Sequence, residues 1–262
     1  MGNLFWKDGD GCHDMMRREP GQARTGQKYM WSTLDLGGKP VDFFDPSGDR
    51  PRFALLFLHD SAGETLRETL RGSEWLARHS LPCVCPHGGP HWWSSRLSPE
   101  FDPQRSVESW LIEEVLPAIA DRWQLGPNRL AIAGMGMGGQ GALRLAFRYP
   151  DRFRTVAALD AALDHHEWYG RGTPLDEMYA SREHCRQDTA LLHIHPARQP
   201  GHIWFGVDPA SRWYRGNDRL HEKLMALGVP HTFEIGREIE RQEELMARFV
   251  SESLLQESRR LL

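Results

Sequence analysis

At 262 residues, with 40% apolar side chains and a net charge of −4, the chain is long enough to bury one sizeable core. The mixed charge excludes a basic stripe of the kind that binds nucleic acid, and no apolar run approaches the ~20 residues needed to span a bilayer. A cytoplasmic location is expected, because Met1 to Lys7 lacks an apolar signal core.

Residues 1–50 read as an N-terminal strand or extension region. The apolar run 52–59 predicts a strand, 64–78 a helix and 81–86 a second strand. Over 106–123, Val107, Trp110, Leu111, Val115 and Ile119 recur at helical spacing. The run 129–133 predicts a buried parallel strand, and 138–149 a helix with a broad apolar face that stops before Pro150. Further strands are expected over 154–159 and 202–207, a helix over 213–227, a last strand over 231–235 and a charged amphipathic helix over 238–262. The irregular stretch 160–200 is the expected place of a lid or cap. A helix over 174–186 is favoured there by Pro174 in its first turn and by Asp176 and Glu177 near its N-terminus. The alternation of strands and helices predicts an α/β fold in one domain, 1–262, with a mostly parallel sheet covered on both faces. Cys12, Cys83, Cys85 and Cys185 are too sparse for a disulfide framework and are expected as free, buried thiols.

Ligands of such sheets bind beyond the carboxyl ends of the strands, which here means residues 59–63, 86–93, 136–137, Asp160 and 208–209. One of these sits in a distinctive setting. Gly134 to Leu143 read G-M-G-M-G-G-Q-G-A-L between a predicted strand and a predicted helix. This is the context of the G-x-S-x-G turn, in which a serine is lifted above the sheet as a nucleophile, but Gly136 stands at the serine position. Glycine enters that strained turn without the ~1–3 kcal/mol cost borne by a residue with a Cβ. The Met137 and Gly138 amides, at a helix N-terminus, keep their capacity to hold an anion or a carbonyl oxygen.

Together with that block, F-L-H-D-S-A-G at 57–63, C-P-H-G-G-P-H-W-W at 85–93, Y-P-D-R-F at 149–153 and G-V-D-P at 206–209 resemble the esterase D type of α/β-hydrolase. That group includes S-formylglutathione hydrolases, feruloyl esterases and mycolyltransferases. The resemblance covers residues 50–235 and implies an α/β-hydrolase fold and descent from carboxylic-ester hydrolases. It places Gly136 in the nucleophile slot and Asp208 in the acid slot, the latter equally readable as an Asp-Pro turn. It assigns the oxyanion hole to the Met137 N–H and a second donor near Asp60 and Ser61. The family's histidine follows the last strand, yet 236–262 contains none, and His231 lies at the other end of that strand. Asp60 replaces a glycine that usually follows His59, which puts a carboxylate where an oxyanion should form. His87, Trp92 and Trp93, on the loop after the second predicted strand, are candidates to line the site with Asp60, Ser61 and Met137, at least one of the two tryptophans being expected to pack under the loop as core.

The expectation is an esterase-like protein with no intact Ser-His-Asp triad. It would be a non-catalytic homologue, without a cofactor, that binds a small acyl, ester-like or carboxylate ligand or a partner. Two alternatives stand beside it. An active hydrolase would need a substitute nucleophile, such as Ser61, Ser94, Ser95 or a Cys85–His87 pair, or a metal held by His87 and His91, His193 and His195, or residues 164–167. Thirteen histidines make chance pairs common, and no metal-binding motif supports one. The other alternative is an interaction protein acting through an exposed C-terminal helix.

Overall fold

Side chains that alternate along the central strands divide the interior into two cores, one on each face of a single sheet. In the computed structural model, which describes residues 30–47, 50–126 and 128–260, eight strands form this sheet. They are β1 (Met30–Leu36), β2 (Lys39–Asp45), β3 (Ala54–Leu58), β4 (Cys83–Pro86), β5 (Leu130–Met135), β6 (Phe153–Leu159), β7 (His202–Val207) and β8 (Thr232–Ile235). Their spatial order is β1-β2-β4-β3-β5-β6-β7-β8. The β1–β2 and β2–β4 pairings are antiparallel and all others parallel. The readings of Met1 to Lys7 and of Cys12 lie outside the described residues.

Leu56, Leu58, Ile132 and Val156 point into one core, against helices α3 (Leu116–Trp123), α4 (Met137–Arg148) and α7 (Tyr214–Ala226). Leu55, Phe57, Ala133 and Trp204 point into the other, against α1 (Leu70–Arg78) and α8 (Ile239–Arg260). The last helix is therefore not a free surface element. Met246, Val250 and Leu254, four apart, bury its apolar stripe on the sheet, which corrects the expectation of an exposed C-terminal helix.

Local chemistry explains where elements begin, end and break. Helix α1 starts later than expected because Thr69 is its cap and accepts the Gly72 N–H at 3.2 Å. Helix 106–123 starts at the Ser106 cap as α2 (Val107–Trp110), then widens into a π turn at Leu111–Val115 before α3. Pro117 follows that turn; it has no N–H to offer Glu113, and a proline ring in a regular helix would press on that carbonyl, so the wider turn relieves both. The helix expected over 174–186 is two short ones, α5 (Leu175–Met178) and α6 (Arg182–Arg186). Between them Tyr179 is extended, its hydroxyl drawn to Asp188 at 2.7 Å, and Ser181 caps α6. Strands β1 and β2 form a hairpin turned by Gly37 and Gly38, both at positive φ, as a two-residue hairpin turn requires.

Cys83, Cys85 and Cys185 are buried free thiols. Burial pushes the Cys185 thiol up to about 12. The Cys85 sulfur faces Cys83, 3.8 Å away, while His87 pairs with Asp42 at 3.0 Å, so no Cys85–His87 pair exists. No described helix is long and apolar enough to cross a membrane.

Candidate functional site

The turn between β5 and α4 is made by Gly136 at φ 52° and ψ −116°, a conformation close to forbidden for residues with a Cβ. Hydrogen bonds hold it from both sides. Its N–H donates to Leu159 O at 2.9 Å, and its carbonyl accepts from Ala162 N at 2.9 Å and Gln140 N at 3.1 Å. Close packing of α4 over the sheet requires further glycines, since a Cβ on Gly138 would lie 2.6 Å from His59 O.

Asp60, on the turn after β3, reaches across to this elbow. Its Oδ1 accepts the Met137 N–H at 2.7 Å. A Cβ built on Gly136 would fall inside the same carboxylate, 2.7 Å from Oδ2 and nearer still to Cγ and Oδ1. The backbone that presents Asp60 is anchored on both sides. Gly63 N–H closes the turn on Asp60 O at 2.9 Å. His59 Nδ1–H donates to Asp60 O at 2.6 Å while its Nε2 accepts from Gly88 N at 3.2 Å, which defines the neutral tautomer. Burial lowers the affinity of His59 for a second proton.

Two more carboxylates end neighbouring strands. Asp160, after β6, sits at φ 49° and accepts the Ser211 hydroxyl on Oδ2 at 2.9 Å, while its Oδ1 is buried without a partner. Burial pushes its carboxyl up to about 6; the Ser211 bond opposes the rise, and the Asp208 and Asp60 charges add to it. Asp208, after β7, spends its carboxylate locally, accepting from Ala210 N at 2.7 Å. That is the Asx turn of an Asp-Pro corner.

The structure brings Asp60 and Met137 into direct contact and leaves Ser61 exposed on the same turn. Trp93 lies elsewhere: it is fully buried, its Nε1 donates to His59 O at 3.1 Å, and its ring packs on Gly88 and Gly141. It is a core residue under the loop, as expected for at least one of the two tryptophans. Trp92 is also buried and stacks on His165 at 4.9 Å between centroids. Burial holds His165 at about 3, hence neutral. His87 turns towards β2 and Asp42.

The segment 160–200 is part of the main core, to which it contributes Leu175, Met178, Tyr179 and Cys185. A buried ionic cluster ties it to α4: Arg144 pairs with Glu108 and with Asp188, the latter at 2.7 Å. Ser94 and Ser95 belong to this cluster as partners of Asp188 and Arg144. His91 bonds Ser98 and His193 bonds Asp188. Among the described residues no three of His, Cys, Asp or Glu are grouped to hold a metal ion. Two cavities, of about 380 and 210 Å³, are lined by Arg154 and Pro200 and by Phe53 and Leu254 respectively, at the opposite end of the sheet from Gly136.

Asp160 stood among the strand-end residues in the sequence, but its coupling to Ser211 did not, because those residues are 51 positions apart. Only the parallel pairing of β6 and β7 brings them together.

A mostly parallel eight-stranded sheet, helices on both faces and a glycine elbow between β5 and α4 define an α/β-hydrolase. Residues 49–227 match the family described as "Putative esterase", and the chain belongs to this Esterase family. The fold is similar to that of fluorophosphonate-binding serine hydrolase F of Staphylococcus aureus (15% identity, TM-score 0.71), covering 87% of this chain and 98% of that one. An S-formylglutathione hydrolase from Agrobacterium tumefaciens (16% identity, TM-score 0.67) covers 89% and 95%. MPT51 of Mycobacterium tuberculosis (15% identity, TM-score 0.65) covers 80% and 90%. No curated protein matches the sequence.

Proposed function

We propose that this member of the Esterase family binds without serine-hydrolase turnover. One observation carries the reading: the Met137 N–H, which the resemblance assigns to the oxyanion hole, is taken by the Asp60 carboxylate at 2.7 Å, beside a glycine that offers no hydroxyl. The absence of histidine from 236–262 supports it, since no base would follow β8. In a well-studied serine protease, loss of nucleophile or base lowers kcat about a million-fold, on the order of 8 kcal/mol. A small acyl or carboxylate ligand would reach Met137 only by displacing Asp60.

The test is intact mass after exposure to a fluorophosphonate, with the Staphylococcus aureus hydrolase, named for binding that probe, as the positive control. No adduct is expected on this chain. A single stoichiometric adduct would overturn the reading. The first place to map it would be Ser211, whose hydroxyl donates to Asp160.

A further inference from the structure

The departures at positions 60 and 136 are separate in sequence and joined in space. A Cβ at 136 and the carboxylate of Asp60 would occupy the same volume. That carboxylate also sits on the first amide of α4, a helix of 12 residues, whose leading N–H groups have no intrahelical partner and favour negative charge.

We propose that Asp60 is a built-in anionic ligand of this cradle. Its carboxylate stands where a free carboxylate or an acyl oxyanion would bind, and Gly136 is the residue that makes room for it. The cradle is thus a carboxylate site closed from within. The closure is pre-organised: His59 and Gly63 both bond to Asp60 O, so the side chain is delivered to Met137 from an anchored backbone. A tethered group of this kind competes with free anions at a high effective concentration. Asp60 is itself exposed, so its removal opens the cradle to solvent rather than leaving a void in the core. The inference deepens the binding reading above and rests on its assignment of the elbow, but no step of its test uses hydrolysis.

The full chain and its Asp60→Ala variant, labelled with nitrogen-15, would be titrated with sodium acetate at constant ionic strength while the Met137 amide resonance is followed. The expected result is a saturable shift in the variant and none in the native chain. The same response in both, or no response in the variant, would overturn the proposal. A second measurement tests the pairing through thermal midpoints of the native chain, Gly136→Ala, Asp60→Ala and the double variant. The backbone strain of alanine at φ 52° is common to both backgrounds and cancels. Gly136→Ala should lower the midpoint by several degrees more with Asp60 present than in the Asp60→Ala background, and equal losses would refute the pairing. Should Gly136→Ala not fold, a folded double variant would support the pairing and an unfolded one would refute it. A fluorophosphonate adduct on the native chain would sink the proposed function and leave both of these results standing, so the two failures are distinguishable.

Discussion

A serine placed alone at position 136 regains a hydroxyl and loses its space. It would meet the Asp60 carboxylate and adopt a backbone unfavourable for any side chain, the latter costing ~1–3 kcal/mol. Gly136→Ser is therefore expected to be less stable than the native chain and to remain unlabelled by fluorophosphonate, as intact mass will report; labelling of this single variant would show that Asp60 yields easily. Asp160 carries a pH signature. Its carboxyl is near 6 in the fold against an ordinary 3.8, so its contribution to stability is fully present below about 3.8 and lost as pH rises through 6. The ionised form costs the native state about 3 kcal/mol at most. Asparagine keeps the shape, tolerates positive φ and still accepts from Ser211, so Asp160→Asn should raise the urea midpoint at pH 8 and much less at pH 4. An equal gain at both values would place the effect outside ionisation.

At the scale of elements, α4 is fastened by contacts that helix propensity does not anticipate. Alanine normally exceeds glycine in a helix interior by ~1 kcal/mol. A Cβ on Gly141, however, would lie 2.8 Å from the Trp93 ring carbon Cδ1, and Trp93 is fixed by its bond to His59 O. Gly141→Ala should therefore reverse the usual sign and destabilise by ~1–3 kcal/mol in urea melts; a stabilised variant would show that the Trp93 loop shifts freely. Arg144, wholly buried, pairs with both Glu108 and Asp188; against burial, the His193 hydrogen bond and then the Arg144 charge hold Asp188 well below the usual carboxylate range. Arg144→Met removes the buried cation that both carboxylates share, leaving Asp188 to Ser94, Tyr179 and His193 and Glu108 to Arg148 and Tyr149, and a loss of ~3–5 kcal/mol is expected. Because Asp188 belongs to the 160–200 segment, limited proteolysis of the variant should cut there first. Uniform resistance across that segment would mean that the cluster does not anchor it.

At the scale of the whole molecule, α8 closes one of the two cores. Burial of Met246, Val250 and Leu254 contributes ~1.5–3 kcal/mol each, together comparable to the total stability of an ordinary domain, ~5–15 kcal/mol. Truncation after Glu238 should abolish cooperative unfolding and expose the Phe57 and Trp204 face to a hydrophobic dye; a cooperative melt within a few degrees of the full chain would refute this. Much of this architecture was legible beforehand. Sequence alone determined the α/β class, the parallel strands from β3 to β8 and the glycine elbow, because each is written in local pattern: apolar runs, helical periodicity, turn residues and a motif of adjacent positions. The β1–β2 hairpin was legible only as an extension, although its Gly37-Gly38 turn carried the signal. The break at Tyr179 was decided by a side-chain partner beyond the next short helix, and the burial of Trp93 and the docking of α8 by partners far along the chain. So was the contact that matters most at the elbow: Asp60 and Met137 are 77 residues apart. Only the pairing of β3 with β5 places that carboxylate on the Met137 amide, because which residues share volume is a property of packing and not of order along the chain.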